Sequence, residues 1–325
     1  MSLGKRLIET QGQPPIENFN IVTYTGTGSS LSITGVGFKP DFLWIKCRSA
    51  AASHSVTDSN RGNNLVLQPN EASAEASGQI TLDSDGFTIG NNNALRNTNG
   101  ETYVAYCWKA NGGTTSTDSN GSINSTVQAN TTLGFSIATV TNNTGSNQTF
   151  GHGLGTTPEW LIRKKTSASL DWTNYFTVLD GSLDYMNFNT TTGKDNSGYS
   201  LPTSTVFTVP TGGDWVFYNF VSIAGKTKLG TYTGNGTTGQ SVTTGFKPDF
   251  VLIKSTIGNA NWRLYDTARG INNGFFRVQG NNAEDTGNAP NITMTSTGWE
   301  FTSGGVSQGI NSNGNVYFYW ALKIH

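Results

Sequence analysis

The chain has 325 residues, of which only 13% are charged and 40 are glycine, with a formal net charge of −1. Charged content is about half that of an ordinary globular protein, and too few of the residues that clothe helices are present for a helical fold. The near-neutral balance excludes the basic footprint that nucleic-acid binding needs. It also gives no electrostatic reason to expect a membrane surface as partner. No run approaches the roughly 18 apolar residues of a spanning helix, so membrane insertion is not expected. Aromatic residues, at 11%, supply a core and exclude disorder.

Taken in chain order, residues 1–18 form an arm whose apolar handles are Leu3, Leu7 and Ile8, with Lys5 and Arg6 between them. No apolar stretch follows that basic pair, so the arm does not read as a signal peptide. Phe19-Asn-Ile-Val-Thr-Tyr24 is the first strand pattern. Gly37-Phe-Lys-Pro-Asp-Phe42 then leads into Leu43-Trp-Ile-Lys46, with Pro40 suited to a strand start. Asp58-Ser-Asn-Arg-Gly62 reads as a turn. Asp85-Gly86 and Asn99-Gly100 supply hairpin signals. Tyr103-Val-Ala-Tyr-Cys-Trp108 closes the segment as an unbroken apolar strand, covered on both faces. Asn111–Gly121 has linker composition, and Ser122–Gln128 offers an added edge strand.

The same order then recurs. Phe135–Val140 opens a second segment, Gly153-Leu-Gly-Thr-Thr-Pro-Glu-Trp160 takes the Gly/Pro position, and Trp215–Phe220 closes it. Here Asp180 is assigned to the turn position of Asp58. Leu229–Tyr232 opens a third segment, with Gly245-Phe-Lys-Pro-Asp-Phe250, Asp266-Thr-Ala-Arg-Gly270 and Tyr317–Leu322 following. Eighteen residues separate Pro40 from Asp58, and Pro248 from Asp266. Two motifs in one register mark internal repetition. The expected architecture is all-β: three tandem antiparallel β-sandwiches, jelly-roll-like, at 19–113, 131–225 and 226–325. Residues 114–130 are the linker with its edge strand.

Candidate chemistry is sparse. His54, His152 and His325 share no metal spacing. His54 with Ser53, Ser55 and Asp58 is weighed as a triad and set aside as a polar loop. Glycoside hydrolysis needs only two well-spaced carboxylates, but no pair stands out among Asp83, Asp85, Asp171, Asp180, Asp184, Glu284 and Asp285. Asp58 with Arg61, and Asp266 with Arg269, read as structural turns in which Asp accepts a backbone N–H and Arg pairs back onto it. Trp172 and Trp262 follow polar residues and are the best candidates for exposed, ligand-stacking aromatics. Cys47 and Cys107 read as small buried hydrophobes rather than a disulfide. No catalytic residue, metal or cofactor is expected.

Gly37–Lys46, Asp58–Gly62, Gly86–Gly90 and Asn99–Lys109 together resemble a repeat domain common in structural proteins of marine bacteriophages, cyanophages especially. The opening Met1-Ser-Leu-Gly-Lys-Arg-Leu-Ile8 resembles the start of phage tail-associated proteins. The resemblance implies a non-enzymatic virion component assembled in the bacterial cytoplasm. It points to a tail fibre or appendage that docks on other tail proteins through residues 1–18, forms a homotrimer, and meets a host-surface glycan or protein. A capsid decoration protein and a polysaccharide-binding or depolymerising module are the alternatives.

Overall fold

The structure, a computed structural model, describes residues 17–90, 92–270, 274–286, 292–302 and 309–324, and is all-β. Strand pairing falls into three groups along the chain. The first comprises β1 (Phe19–Thr25), β2 (Leu31–Thr34), β3 (Phe42–Cys47), β4 (Ser55–Asp58), β5 (Leu65–Val66), β6 (Ala76–Ser77), β7 (Ile80–Asp83), β8 (Gly86–Ile89) and β9 (Thr102–Trp108). The second comprises β10 (Ser116–Asp118), β11 (Ser125–Asn130), β12 (Phe135–Asn142), β13 (Gln148–Gly151), β14 (Trp160–Lys165), β15 (Thr173–Phe176), β16 (Asp184–Asn187), β17 (Asp195–Asn196), β18 (Val206–Val209) and β19 (Gly213–Phe220). The third comprises β20 (Thr227–Thr233), β21 (Ser241–Thr243), β22 (Phe250–Ser255), β23 (Arg263–Asp266), β24 (Phe276–Arg277), β25 (Ile292–Thr295), β26 (Gly298–Phe301) and β27 (Val316–Leu322).

Each group builds a large and a small antiparallel sheet. The large sheets run β1-β9-β3-β4, β10-β11-β12-β19-β14-β15-β16-β17 and β20-β27-β22-β23-β24. The small ones run β2-β8-β7, β13-β18 and β21-β26-β25. Segment 114–130, expected as a linker with one edge strand, instead contributes β10 and β11, which extend the second large sheet. Thr and Val in β11 pair with β12, and that ladder overrides the Gly/Ser/Asn composition of the flanking turns.

The closing strands explain the packing. Side chains alternate across a strand, and in β9 Tyr103, Ala105 and Cys107 face the first group's small sheet. Val104, Tyr106 and Trp108 face the other way, into a cluster that draws on all three groups. Val216, Tyr218 and Phe220 of β19 and Phe318, Trp320 and Leu322 of β27 enter the same cluster. Each large sheet is thus covered twice, once by its own small sheet and once by the other two large sheets. Six of the eight tryptophans lie in this shared core. At about 200 Å² each and about 25 cal/mol per Å², each contributes roughly 5 kcal/mol of transfer energy. Rings interlock across groups: Phe42 meets Tyr218 at 4.7 Å, Tyr106 meets Phe250 at 5.3 Å, and Trp160 meets Trp320 at 4.9 Å.

Trp172 and Trp262, expected to be exposed, are 1% and 0% exposed and belong to this core. They immediately precede β15 and β23, where His54 precedes β4. The polar residues before them occupy the turn, while the ring itself starts a strand buried on both faces.

Candidate functional site

The three groups meet at three seams, each built from the same parts. The segment that follows β5, β16 or β24 crosses to the neighbouring group and forms two backbone hydrogen bonds. At the first seam these are Leu170 N to Ala72 O (2.8 Å) and Glu75 N to Thr166 O (3.1 Å). At the second they are Ala260 N to Thr191 O (3.0 Å) and Lys194 N to Thr256 O (2.7 Å). At the third they are Ala52 N to Asn281 O and Glu284 N to Arg48 O, both 2.8 Å.

A buried lysine reinforces each seam. Lys164 Nζ donates to Ala72 O at 2.7 Å, Lys254 Nζ to Thr191 O at 2.9 Å, and Lys46 Nζ to Asn281 O at 3.3 Å. Each also donates to a carbonyl of its own group. Burial lowers all three lysines to about 8, since the charged form is disfavoured away from water.

The repeated Asp and Arg turn sits at two of the seams. Arg61 donates its backbone N–H to Asp58 Oδ1 at 2.8 Å and its Nε–H to Asp58 Oδ2 at 2.6 Å. Arg269 and Asp266 repeat this at 2.9 and 2.5 Å. Each carboxylate also accepts a buried tyrosine hydroxyl from another group, Asp58 from Tyr218 and Asp266 from Tyr106, both at 2.7 Å. Burial raises both tyrosines, so the hydroxyls stay donors. Glu75 and Glu284 complete the relays through Arg61 and Arg269. The turns therefore also join the groups to one another.

The register corrects the position assigned to Asp180. Phe42 pairs with Asp58, Phe250 with Asp266, and Trp160 with Phe176. Phe176 is the equivalent residue, and Leu179 stands where Arg61 and Arg269 stand. The matching tyrosine position is Trp320, since Trp44 pairs with Tyr106, Ile162 with Tyr218 and Leu252 with Trp320. The remaining seam is apolar where the other two are ionic. Asp180 pairs instead with Lys194 on the surface.

His54 ends the loop before β4, as expected, but its side chain is fully buried. Trp44 Nε1 donates to its Nδ1 at 2.9 Å. Burial, then the nearby Lys46, lowers its pKa, so the neutral ring is retained. The loop carboxylates are tied to neighbours: Asp83 to Thr88, Asp85 to the Gly35 and Gly37 amides, Asp184 to Lys194, and Asp285 to Arg277. A carboxylate that sequence reasoning passed over, Asp41 of the Gly-Phe-Lys-Pro-Asp-Phe motif, accepts from the Ala110, Gly112 and Gly113 amides and the Ser59 hydroxyl. Asp249 and Glu159 hold the Ile324 and Ser222 amides in the same way. This acid fastens the chain as it leaves each closing strand. Cys47 and Cys107 are buried, unbridged thiols. Leu3, Lys5, Arg6, Leu7 and Ile8 lie outside the described residues.

Open space lies along the seams and on the second group. One polar groove of about 550 Å³ is lined by Asn60, Arg61, Glu75, Thr126, Thr139 and Trp215, at the first seam. A second, about 770 Å³, runs between Asp171, Tyr185, Asn187 and Lys194 and the 256–258 loop of the third group. It adjoins a third of about 390 Å³ that shares Asp171, Tyr185 and Asn187 and adds Arg163, Tyr175 and Tyr199.

Fold and seams define an all-β chain in which three sandwich-type groups close around one aromatic core. A family profile described as a domain of unknown function, DUF7483, matches residues 14–323, and the chain belongs to that family. The profile spans all three groups. No curated protein and no solved structure matches the chain.

Proposed function

We propose that the protein is a non-enzymatic structural component of a bacteriophage virion, a tail-fibre or appendage subunit docked through residues 1–18 and engaged in host-surface attachment. The resemblance of its motifs to phage structural repeats supports the origin. The observation that carries an attachment role is the pairing of a shared aromatic core with wide grooves on its outside in which Asn, Thr and Ser outnumber charged side chains. Neutral Asn, Thr and Ser side chains hydrogen-bond glycans, and their contacts are not screened by salt as ion pairs are. The core already covers the inner faces of one chain's large sheets. A homotrimer, the assembly expected of a fibre, would therefore join through other surfaces.

Labelled protein imaged on intact virions is the test. Signal on the tail supports the reading, and signal over the capsid replaces it with a decoration role. Release of reducing ends from host capsule or lipopolysaccharide would overturn the non-enzymatic assignment. A protein lacking residues 1–18 that still joins particles would overturn the docking arm.

A further inference from the structure

The second group departs from the other two at one edge of its sandwich. Its small sheet has two strands, β13 and β18, where β2-β8-β7 and β21-β26-β25 have three. In the first group Ile80 and Leu82 of the third strand close the core over Ile45. In the third, Ile292 and Met294 close over Ile253. In the second the corresponding stretch, 197–205, forms no strand, with Tyr199 half-buried and Leu201 50% exposed. The space left open is the 390 Å³ cavity, within the range of small-molecule sites.

The residue beneath it also changes. Register places Arg163 opposite Thr173 where Ile45 meets Ser55 and Ile253 meets Arg263. Arg163 is 9% exposed. Its Nη2 donates to Thr173 Oγ1 at 3.1 Å, while Nε and Nη1 have no protein acceptor and almost no accessible surface, so a ligand meets them only by displacing the side chains that cover them. Its guanidinium lies 5.2 Å from the ring centres of Tyr175 and Trp215. No carboxylate reaches it within ion-pair distance among the described residues, unlike Arg61 and Arg269. A buried guanidinium without a counter-charge is costly. Around it stand Tyr175, Tyr185 and Tyr199, the Asn187 and Asn196 amides, Ser197 and Asp171.

We infer that this cavity binds a carboxylate-bearing saccharide, a uronic-acid residue of a surface glycan. The planar guanidinium matches a carboxylate, and tyrosine faces suit the C–H face of a sugar ring. The amides, Ser197 and Asp171 suit its hydroxyls. The Asp171 carboxylate in the lining repels anions, so a singly charged uronate is disfavoured less than a polyphosphate. The adjoining 770 Å³ groove gives the glycan a path toward the third group. The assignment deepens the attachment reading and rests on it only for the source of the ligand.

The test titrates the full chain with a glucuronic-acid disaccharide, its neutral glucose counterpart and inorganic phosphate, by calorimetry. Arg163→Ile installs the residue used by the other two groups, and its unfolding transition checks folding. The expected result is uronate binding in the wild type, at least tenfold weaker in Arg163→Ile, with Tyr199→Ala also weakened and the neutral sugar bound poorly by all three. Equal uronate affinity in wild type and Arg163→Ile overturns the site, as does no uronate binding in the wild type. Phosphate competing as strongly as the disaccharide reduces it to a plain anion site and overturns the saccharide assignment. Virion imaging separates the two readings. Uronate binding by a protein absent from the tail sinks attachment alone, whereas tail protein whose adsorption ignores Arg163→Ile sinks the site alone.

Discussion

Two seams carry a buried ion relay and the third an apolar contact, so one can be rewritten as the other. Asp58 is 0% exposed and holds three donors: the Arg61 amide and Nε, and the Tyr218 hydroxyl. Asp58→Ala strands the Arg61 guanidinium, whose side chain is 3% exposed, with only the partly exposed Glu75. The expected cost is about 3–5 kcal/mol. Tyr218→Phe removes one donor from a carboxylate that keeps two others, and costs about 1.5 kcal/mol. The triple change Asp58→Phe, Arg61→Leu and Tyr218→Trp copies Phe176, Leu179 and Trp320. It removes the Asp58 and Arg61 charges and the Tyr218 hydroxyl together, leaves the partly exposed Glu75 to water, and should cost about 1 kcal/mol or less, because a buried pair replaced by apolar residues is often neutral. Urea unfolding followed by circular dichroism gives the three values, and tryptophan emission checks that one transition is observed. A triple variant as unstable as Asp58→Ala would refute the equivalence of the seams. A loss under about 1 kcal/mol for Asp58→Ala would refute the uncompensated-charge argument.

Stability should rise with pH above about 8. Lys46, Lys164 and Lys254 titrate near 8 when folded but near 10.4 when unfolded, so the unfolded state binds more protons across that window and the slope is positive. Replacing all three by Met should flatten the slope between pH 8 and 9.5, and an unchanged slope would assign it elsewhere. Trp262→Ala should cost about 3–5 kcal/mol, since the ring is fully buried and donates to Asn187 O at 2.9 Å across a seam. Glycan binding lost at full stability would restore the exposed-platform expectation. Cys47 and Cys107 are 0% exposed, and burial raises the Cys107 thiol. A thiol reagent should label neither in the native protein and both in urea; rapid native labelling would contradict the packing.

The strands and the Asp58 and Asp266 turns were legible because they depend on local rules: alternation, turn chemistry and a side chain reaching three residues onward. The middle group was misread at Asp180 because turn motifs were matched where strand register decides, and Phe176 keeps the place without the chemistry. Trp172 and Trp262 were misjudged for a related reason. Their burial comes from sheets distant in sequence, and polar neighbours inform only about the turn. Arg163 lay in a strand pattern beside Ile162, and only alignment with Ile45 and Ile253 in space marks it as out of place.

The shared core also imposes a schedule on synthesis. When β9 is complete, Phe19, Phe42, Trp44, Tyr106 and Trp108 already line one face of the first large sheet, and their cover has not yet been made. The last of it, Leu322, follows Trp108 by 214 residues, about 10–40 s at about 5–20 residues per second. For that interval the nascent chain presents an aromatic sheet face to solvent, and neighbouring nascent chains can join through such faces. A covalent order of three groups on one polypeptide limits that hazard, because the correct covers arrive tethered at high local concentration.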